Sequence, residues 1–130
     1  MSQHRESVTA AGAPAAVGAY VHAVRSRGLL FCSGQIPLHP ETGELTGTTP
    51  GEQAGRCLEN LQAVCAAAGA TLADAVRITV YLTDMAHFTE VNEVYASFFE
   101  RDPPARVAIA VAGLPRAALV EIDAVVALPD

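Results

Sequence analysis

Lysine is absent from this 130-residue chain, so its eight basic side chains are all arginines, set against fourteen acidic ones for a net charge of -6. No lysine-rich patch exists to neutralise a phosphate backbone, which argues against nucleic acid as a ligand and against RNA cleavage as an activity. Long apolar runs are lacking too. Hydrophobic residues make up 51% of the sequence but are dispersed, and no stretch reaches the roughly 18 to 20 uncharged residues that cross a bilayer. The start, Met1-Ser2-Gln3-His4-Arg5-Glu6, is polar and leads into a Gly/Pro-interrupted alanine stretch, unlike a signal peptide's compact apolar core. A cytoplasmic location is expected. Cys32, Cys57 and Cys65 are odd in number and lack C-x-x-C spacing, so they read as small buried residues rather than a disulfide framework or a zinc site. His4, His22, His39 and His87 are scattered without metal-binding spacing, and no G-x-S-x-G context is present. No metal and no serine triad is indicated.

What the chain does have is enough length for a single domain, 1–130, able to bury about two thirds of its unfolded surface. The pattern predicts strands over Ala19 to Arg25 and Leu29 to Ser33 around a turn at Ser26-Arg27-Gly28. A loop rich in proline and glycine follows. Thr49-Pro50-Gly51-Glu52 then announces a helix, with threonine at the cap, proline at the first helical position and glutamate completing a capping box. Ala54, Cys57, Leu58, Leu61, Val64, Cys65 and Ala68 form its apolar stripe, and Gly69 stops it. From Ala75 to Leu82 the period changes to two, placing Val76, Ile78, Val80 and Leu82 on one side of a strand. A second helix, capped near Thr83 or Asp84, turns Phe88, Val91, Val94, Tyr95, Phe98 and Phe99 inward and ends before Asp102-Pro103-Pro104. Strands at about Arg106 to Ala112 and Leu119 to Leu128 complete a β-β-α-β-α-β-β order. This is an α+β sandwich with both helices on one sheet face. Leu29, Phe31, Ala108, Ala110, Ala112, Leu119 and Val125 are expected on the other face, too apolar for water, so packing into a homo-oligomer through the sheets is expected.

Two charges stand in apolar contexts. Arg106 sits in Pro104-Ala105-Arg106-Val107-Ala108-Ile109-Ala110-Val111-Ala112, and the alternation puts it with Ala108, Ala110 and Ala112. A guanidinium offers a planar fork of donors that fits a carboxylate, so this face reads as a small pocket with an anion clamp. Glu121 lies between Val120 and Ile122 in the last strand. Should the last two strands pair as a hairpin, both charges would share the face opposite the helices, either as an internal ion pair or as a substrate clamp beside a general base. Ser33-Gly34-Gln35 ends a strand where backbone N–H groups can approach a ligand. Tyr20 and Asn92 each offer a polar tip on a segment that otherwise packs.

Taken together, Gly12 to Tyr20, Ser33-Gly34-Gln35-Ile36-Pro37, Val91-Asn92 with Tyr95 and Phe98-Phe99, Pro104-Ala105-Arg106, Leu114-Pro115 and Val120-Glu121-Ile122 resemble the Rid family of reactive intermediate deaminases. The likeness runs from about residue 12 to 127 and is nearest the RidA branch, YjgF-like proteins formerly called endoribonuclease L-PSP. It implies a chorismate-mutase-like subunit, a homotrimer with sheets facing inward, and three equivalent sites in clefts between neighbours. It also implies hydrolysis of 2-enamino and 2-imino acids, such as 2-aminoacrylate released by pyridoxal-phosphate enzymes, to 2-oxo acids and ammonia, with no cofactor. By that resemblance Arg106 holds the substrate carboxylate and Glu121 positions and activates water. Tyr20 closes the pocket from the adjacent subunit, Ser33, Gly34 and Asn92 line it, and Ala108 is a wall near the substrate. The chain departs from the family pattern at Ala108, where cysteine is common, at Gly18-Ala19-Tyr20 in place of Gly-Pro-Tyr, and in a shortened loop before Pro104. Two other readings stay open: a regulatory trimer that binds small carboxylates without turnover, and an enzyme dedicated to one enamine or imine of a particular pathway.

Overall fold

The computed structural model describes residues 4–130, so Met1, Ser2 and Gln3 of the polar start lie outside it. Its strands are β1 (Glu6–Val8), β2 (Ala23–Ser26), β3 (Leu29–Gln35), β4 (Ala75–Leu82), β5 (Ala105–Ala110) and β6 (Val120–Ala127), and its helices are α1 (Pro50–Ala67) and α2 (Phe88–Phe98). They form one six-stranded sheet of order β1-β2-β3-β6-β4-β5, parallel only between β4 and β5. The fold is α+β, as the pattern predicts, with the short edge strand β1 added. Three residues are too few for a period to register, and β1 is held by its pairing with β2 and by an ion pair of 3.0 Å between Glu6 and Arg25, which sit opposite one another.

Local chemistry sets the elements. Arg27 and Gly28 both adopt positive φ, 52° and 82°, the backbone hand that matches the twist of the β2–β3 hairpin. β2 begins only at Ala23. The preceding residues of the expected strand instead bond to Ser33, whose N–H donates to His22 O at 3.0 Å and whose hydroxyl donates to Val21 O at 2.6 Å. At the start of α1 the Thr49 hydroxyl accepts from Glu52 N at 3.2 Å while the Glu52 carboxylate accepts from Thr49 N at 3.1 Å. A cap of this kind contributes about 1 kcal/mol. The helix closes at Gly69, φ 78°, with Gly69 N donating to Ala66 O and Ala70 N to Cys65 O, the paired bonds of a Schellman ending.

The core lies between the helices and one sheet face. All seven residues of the α1 stripe are buried, together with Leu30, Ile78, Val80, Leu82, Val120, Ile122, Ala124 and Val126 of the sheet and Val91 and Tyr95 of α2. Three buried polar residues bind loops to this frame. Gln53 donates to Gly47 O and accepts from Leu119 N, Asn60 donates to Leu38 O, and the His22 ring accepts from Ala10 N at 2.9 Å while its other nitrogen meets Pro14 O at 2.7 Å. Glu90 of α2 accepts from Gly51 N at 2.7 Å. A carboxylate at the positive end of α1 locks the two helices together and thereby fixes the face that α2 presents to β5. Among the described residues no helix is long and apolar enough to cross a membrane.

The expected arrangement of the C-terminal strands is corrected in two respects. β5 and β6 do not form a hairpin: both pair with β4, β5 parallel and β6 antiparallel. The helical crossover through α2 forces β5 to run parallel to β4, and the chain then passes over β4 to its free side. The phase of β5 is also opposite to the one expected. Arg106 and Ala108 lie beside Ile78 and Val80 on the helix side, whereas Val107 and Ile109 are exposed on the other face. The Phe88 and Tyr95 rings of α2 face Arg106 on this side, and the β-branched residues turn away. Leu119 likewise packs on the core rather than on the open face. Val76 is exposed at a register shift between Ala75 and Arg77. The open face remains apolar in its corrected membership, with Phe31 46% and Ile109 42% exposed beside Val107.

Candidate active site

The sequence-derived site residues fall into two groups on opposite faces of the sheet. The first surrounds Arg106, on the edge strand β5. Its Nη1 donates to Asn92 Oδ1 at 2.6 Å, and its guanidinium carbon lies 4.9 Å from the ring centroid of Tyr95 and 5.2 Å from that of Phe88. A hollow of about 320 Å³ beside it is lined by Asn92, Tyr95, Ala96, Phe99, Pro103, Pro104 and Arg106. The ion pairs found among the described residues are Arg25 with Glu6 and Arg56 with Glu59. Arg106 therefore has no acidic partner among the described residues. The amide oxygen and the ring faces hold the cation without neutralising it, which leaves the rest of its donor fork for an external anion. Ala108, two residues on, is partly buried against the core on this same side.

The second group surrounds Glu121, on the central strand β6. Its neighbours around a cavity of about 460 Å³ are Tyr20, Ser33 and Gly34 of the same chain, together with Val17, Ile36 and Pro115. Glu121 pairs with Tyr81 of β4 on the open face, and a register shift of β3 between Cys32 and Gln35 brings Gly34 under its carboxylate. A methyl group built on Gly34 would collide with Glu121 Oε2. The glycine is needed here for close approach, not for an unusual backbone angle. Burial, and then the like charge of Asp123, push the Glu121 carboxyl above the usual carboxylate range. Asp123 in turn accepts from the Tyr81 hydroxyl at 2.8 Å. Tyr20 is 50% exposed and projects at the rim.

Arg106 and Glu121 do not meet within one chain, and the expected sharing of a face is corrected. They point from opposite sides of the sheet, with β4 between their strands, and are aligned with Ile78 and Tyr81 respectively. Strand spacing and rise put their Cα atoms about 10 Å apart across the sheet and about 10 Å apart along it. A small acid cannot touch both. Phe88 carried a signal only as an inward-facing residue of α2, and the inverted phase of β5 concealed its relation, and that of Tyr95 and Phe99, to the cation. Val17, Ile36 and Pro115 stood in motifs of the resemblance without a site role assigned to them. The three cysteines are all buried, Cys57 with its thiol directed at Val120 O and pushed upward by burial. Among the described residues no group of three or more His, Cys, Asp or Glu side chains converges to hold a metal.

Comparison with known proteins agrees with the motifs. The family model described as Endoribonuclease L-PSP matches residues 10–128. The RutC family protein y4sK of Sinorhizobium fredii is 46% identical over 123 residues, covering 95% of this chain and 98% of that one. A protein of Escherichia coli K12 named "Putative reactive intermediate deaminase TdcF" is 40% identical over 116 residues, covering 87% and 89%. Among solved structures, RidA from an Antarctic Psychrobacter superposes with a TM-score of 0.90 at 39% identity, covering 95% of this chain and 99% of that one. Escherichia coli TdcF with bound serine superposes with a TM-score of 0.89 at 36% identity, covering 95% and 99%. The match along nearly all of the chain, in sequence and in backbone alike, makes this protein a member of the Rid family, whose model bears the older endoribonuclease L-PSP name.

Proposed function

We propose that the protein hydrolyses 2-imino acids, and the 2-enamino acids that tautomerise to them, to 2-oxo acids and ammonia, at sites assembled between copies of the chain in a homotrimer. The observation that carries this reading is Arg106, a cation held by an amide and two rings with no acidic partner among the described residues. A small carboxylate is the natural occupant of such a fork. Serine, bound in the TdcF structure, is an acid of that size.

The separation of Arg106 from Glu121 supports the assembly. Either side of the sheet supplies half of a hydrolytic site, and packing the apolar open face of one copy near the Arg106 edge of another would bring the halves together. Arg106 then fixes the substrate carboxylate and with it the imine carbon. Glu121 of the neighbouring copy takes a proton from water as its oxygen adds to the carbon of the protonated imine, giving a neutral carbinolamine. Returned to nitrogen, that proton makes the amine a leaving group; the C–N bond breaks as the C=O bond forms, the hydroxyl proton passes to Glu121, and ammonia departs. A carboxyl with a raised pKa is suited to these transfers. Ser33 and Gly34 line the water side, Asn92 the carboxylate side, and Tyr20 closes the rim. Ala108, beneath Arg106, is a small wall that leaves room for the acid. No metal or cofactor enters the scheme, and the imine would come from enzymes that release enamines, such as those dependent on pyridoxal phosphate.

The test is 2-oxo acid and ammonia release from an imine generated in situ by an amino-acid oxidase, measured beside equilibrium binding of pyruvate or 2-oxobutyrate. Acceleration over the oxidase-only control is expected. Binding without acceleration would overturn the deaminase reading in favour of a carboxylate-binding module.

A further inference from the structure

Nothing in the chemistry of imine hydrolysis calls for the two aromatic rings beside Arg106, yet both face its guanidinium. We propose that Phe88 and Tyr95 are positioning residues, acting through their ring faces to hold the Arg106 guanidinium in the orientation that grips the substrate carboxylate. The proposal rests on the carboxylate-binding role given to Arg106 above.

Arg106 is an exposed residue on an edge strand, where a long side chain ordinarily samples many rotamers and loses entropy on gripping a ligand. The distances of 4.9 and 5.2 Å to the two centroids place the cation within reach of both ring quadrupoles. Asn92, one turn from Phe88 and Tyr95 on the same face of α2, adds a directional bond of 2.6 Å. Three contacts from one rigid helix thus restrict the guanidinium, and none is an anion that would compete with substrate. Tyr95 is itself packed in place, 5% exposed and tilted against Phe99 with ring centroids 4.7 Å apart. Its hydroxyl is buried without a hydrogen-bond partner, so neither solvent nor a ligand in the hollow reaches it. The ring, not the hydroxyl, is the working part.

That division gives a sharp test. In ligand-free protein, the order of the Arg106 Nε–H group is measured by NMR relaxation for wild type, Tyr95→Phe, Tyr95→Leu and Phe88→Leu, and KM and kcat for the imine are measured on the same samples. Tyr95→Phe should match wild type in all three quantities and melt no earlier, since it removes an unsatisfied hydroxyl. Phe88→Leu and Tyr95→Leu should disorder the Arg106 signal and raise KM about tenfold, with kcat changed less than about twofold. Phe88 is only partly buried, so its variant should stay folded even where Tyr95→Leu does not. An ordered Arg106 signal in Phe88→Leu overturns the proposal, as does a Tyr95→Phe variant with KM raised as in Tyr95→Leu. Wild-type protein with no turnover would refute the deaminase reading, while the relaxation data would still decide whether the rings hold Arg106.

Discussion

The surroundings of Arg106 and Glu121 are opposites. Arg106 lies on an edge strand, under a helix, among aromatic rings and prolines, and an amide oxygen and two ring faces attract its charge. Glu121 lies on a central strand, on the face without helices, against a glycine and aliphatic side chains, and its charge is disfavoured by burial and by Asp123. One fold thus keeps a permanent cation ready and an anion reluctant. Had the two shared a face they would neutralise one another, the Arg106 fork would be occupied, and the Glu121 carboxyl would fall toward or below its ordinary range. Distance within the chain preserves both functions, and a neighbouring copy is what the proposed reaction needs to unite them.

The contrast can be broken most severely at the cation. Arg106→Ala should lower kcat/KM about 10³-fold, because truncating one partner of a charge-assisted grip costs several kcal/mol. The melting temperature should hardly move, since Arg106 makes no ion pair among the described residues; a large loss of stability would make its role structural. Removing the reluctant anion is expected to be milder. Glu121→Ala should reduce kcat about 10²-fold while leaving equilibrium binding of pyruvate largely intact, and lost binding would place Glu121 in the carboxylate grip instead. The pH profile sharpens the comparison further. Glu121 must be ionised to accept a proton, and its carboxyl is raised, so the acid limb of kcat should fall at a pH above the ordinary glutamate value of about 4.3. Asp123→Asn removes the second cause of that rise and should move the limb to lower pH; movement upward, or none, would contradict the assignment. The smallest effect is expected at Ala108. Ala108→Cys restores the thiol common in the family and should leave turnover within about twofold, since the proposed proton transfers run through Glu121 and water.

Legibility in the sequence followed the strength of local signals. α1 could be read nearly to the residue because Thr49, Pro50, Glu52 and Gly69 each carry a specific backbone role, and β4 was bounded at Ala75 and Leu82 by its alternation. The positions of Arg106 and Glu121 were legible as charges in apolar runs. Their relation was not. Which face of β5 met α2 could not be decided by hydrophobicity, because both faces carry apolar residues. Strand order was equally hidden: the link from β5 to β6 is short enough for a hairpin, and only the helical crossover that makes β4 and β5 parallel sends β6 to the far side of β4. β1 escaped notice for want of length.

The central claim, that each reaction site takes Arg106 from one copy of the chain and Glu121 from another, is tested most directly by mixing two dead variants. Arg106→Ala and Glu121→Ala chains carrying different tags are refolded together in equal amounts, and the mixed assemblies are assayed for imine hydrolysis. Random exchange in a closed ring leaves about a quarter of the sites with both residues intact, so activity should return to roughly a quarter of the wild-type value. A mixture that assembles but stays as inactive as either variant alone would mean that both residues must come from the same chain, contrary to the site assembled here.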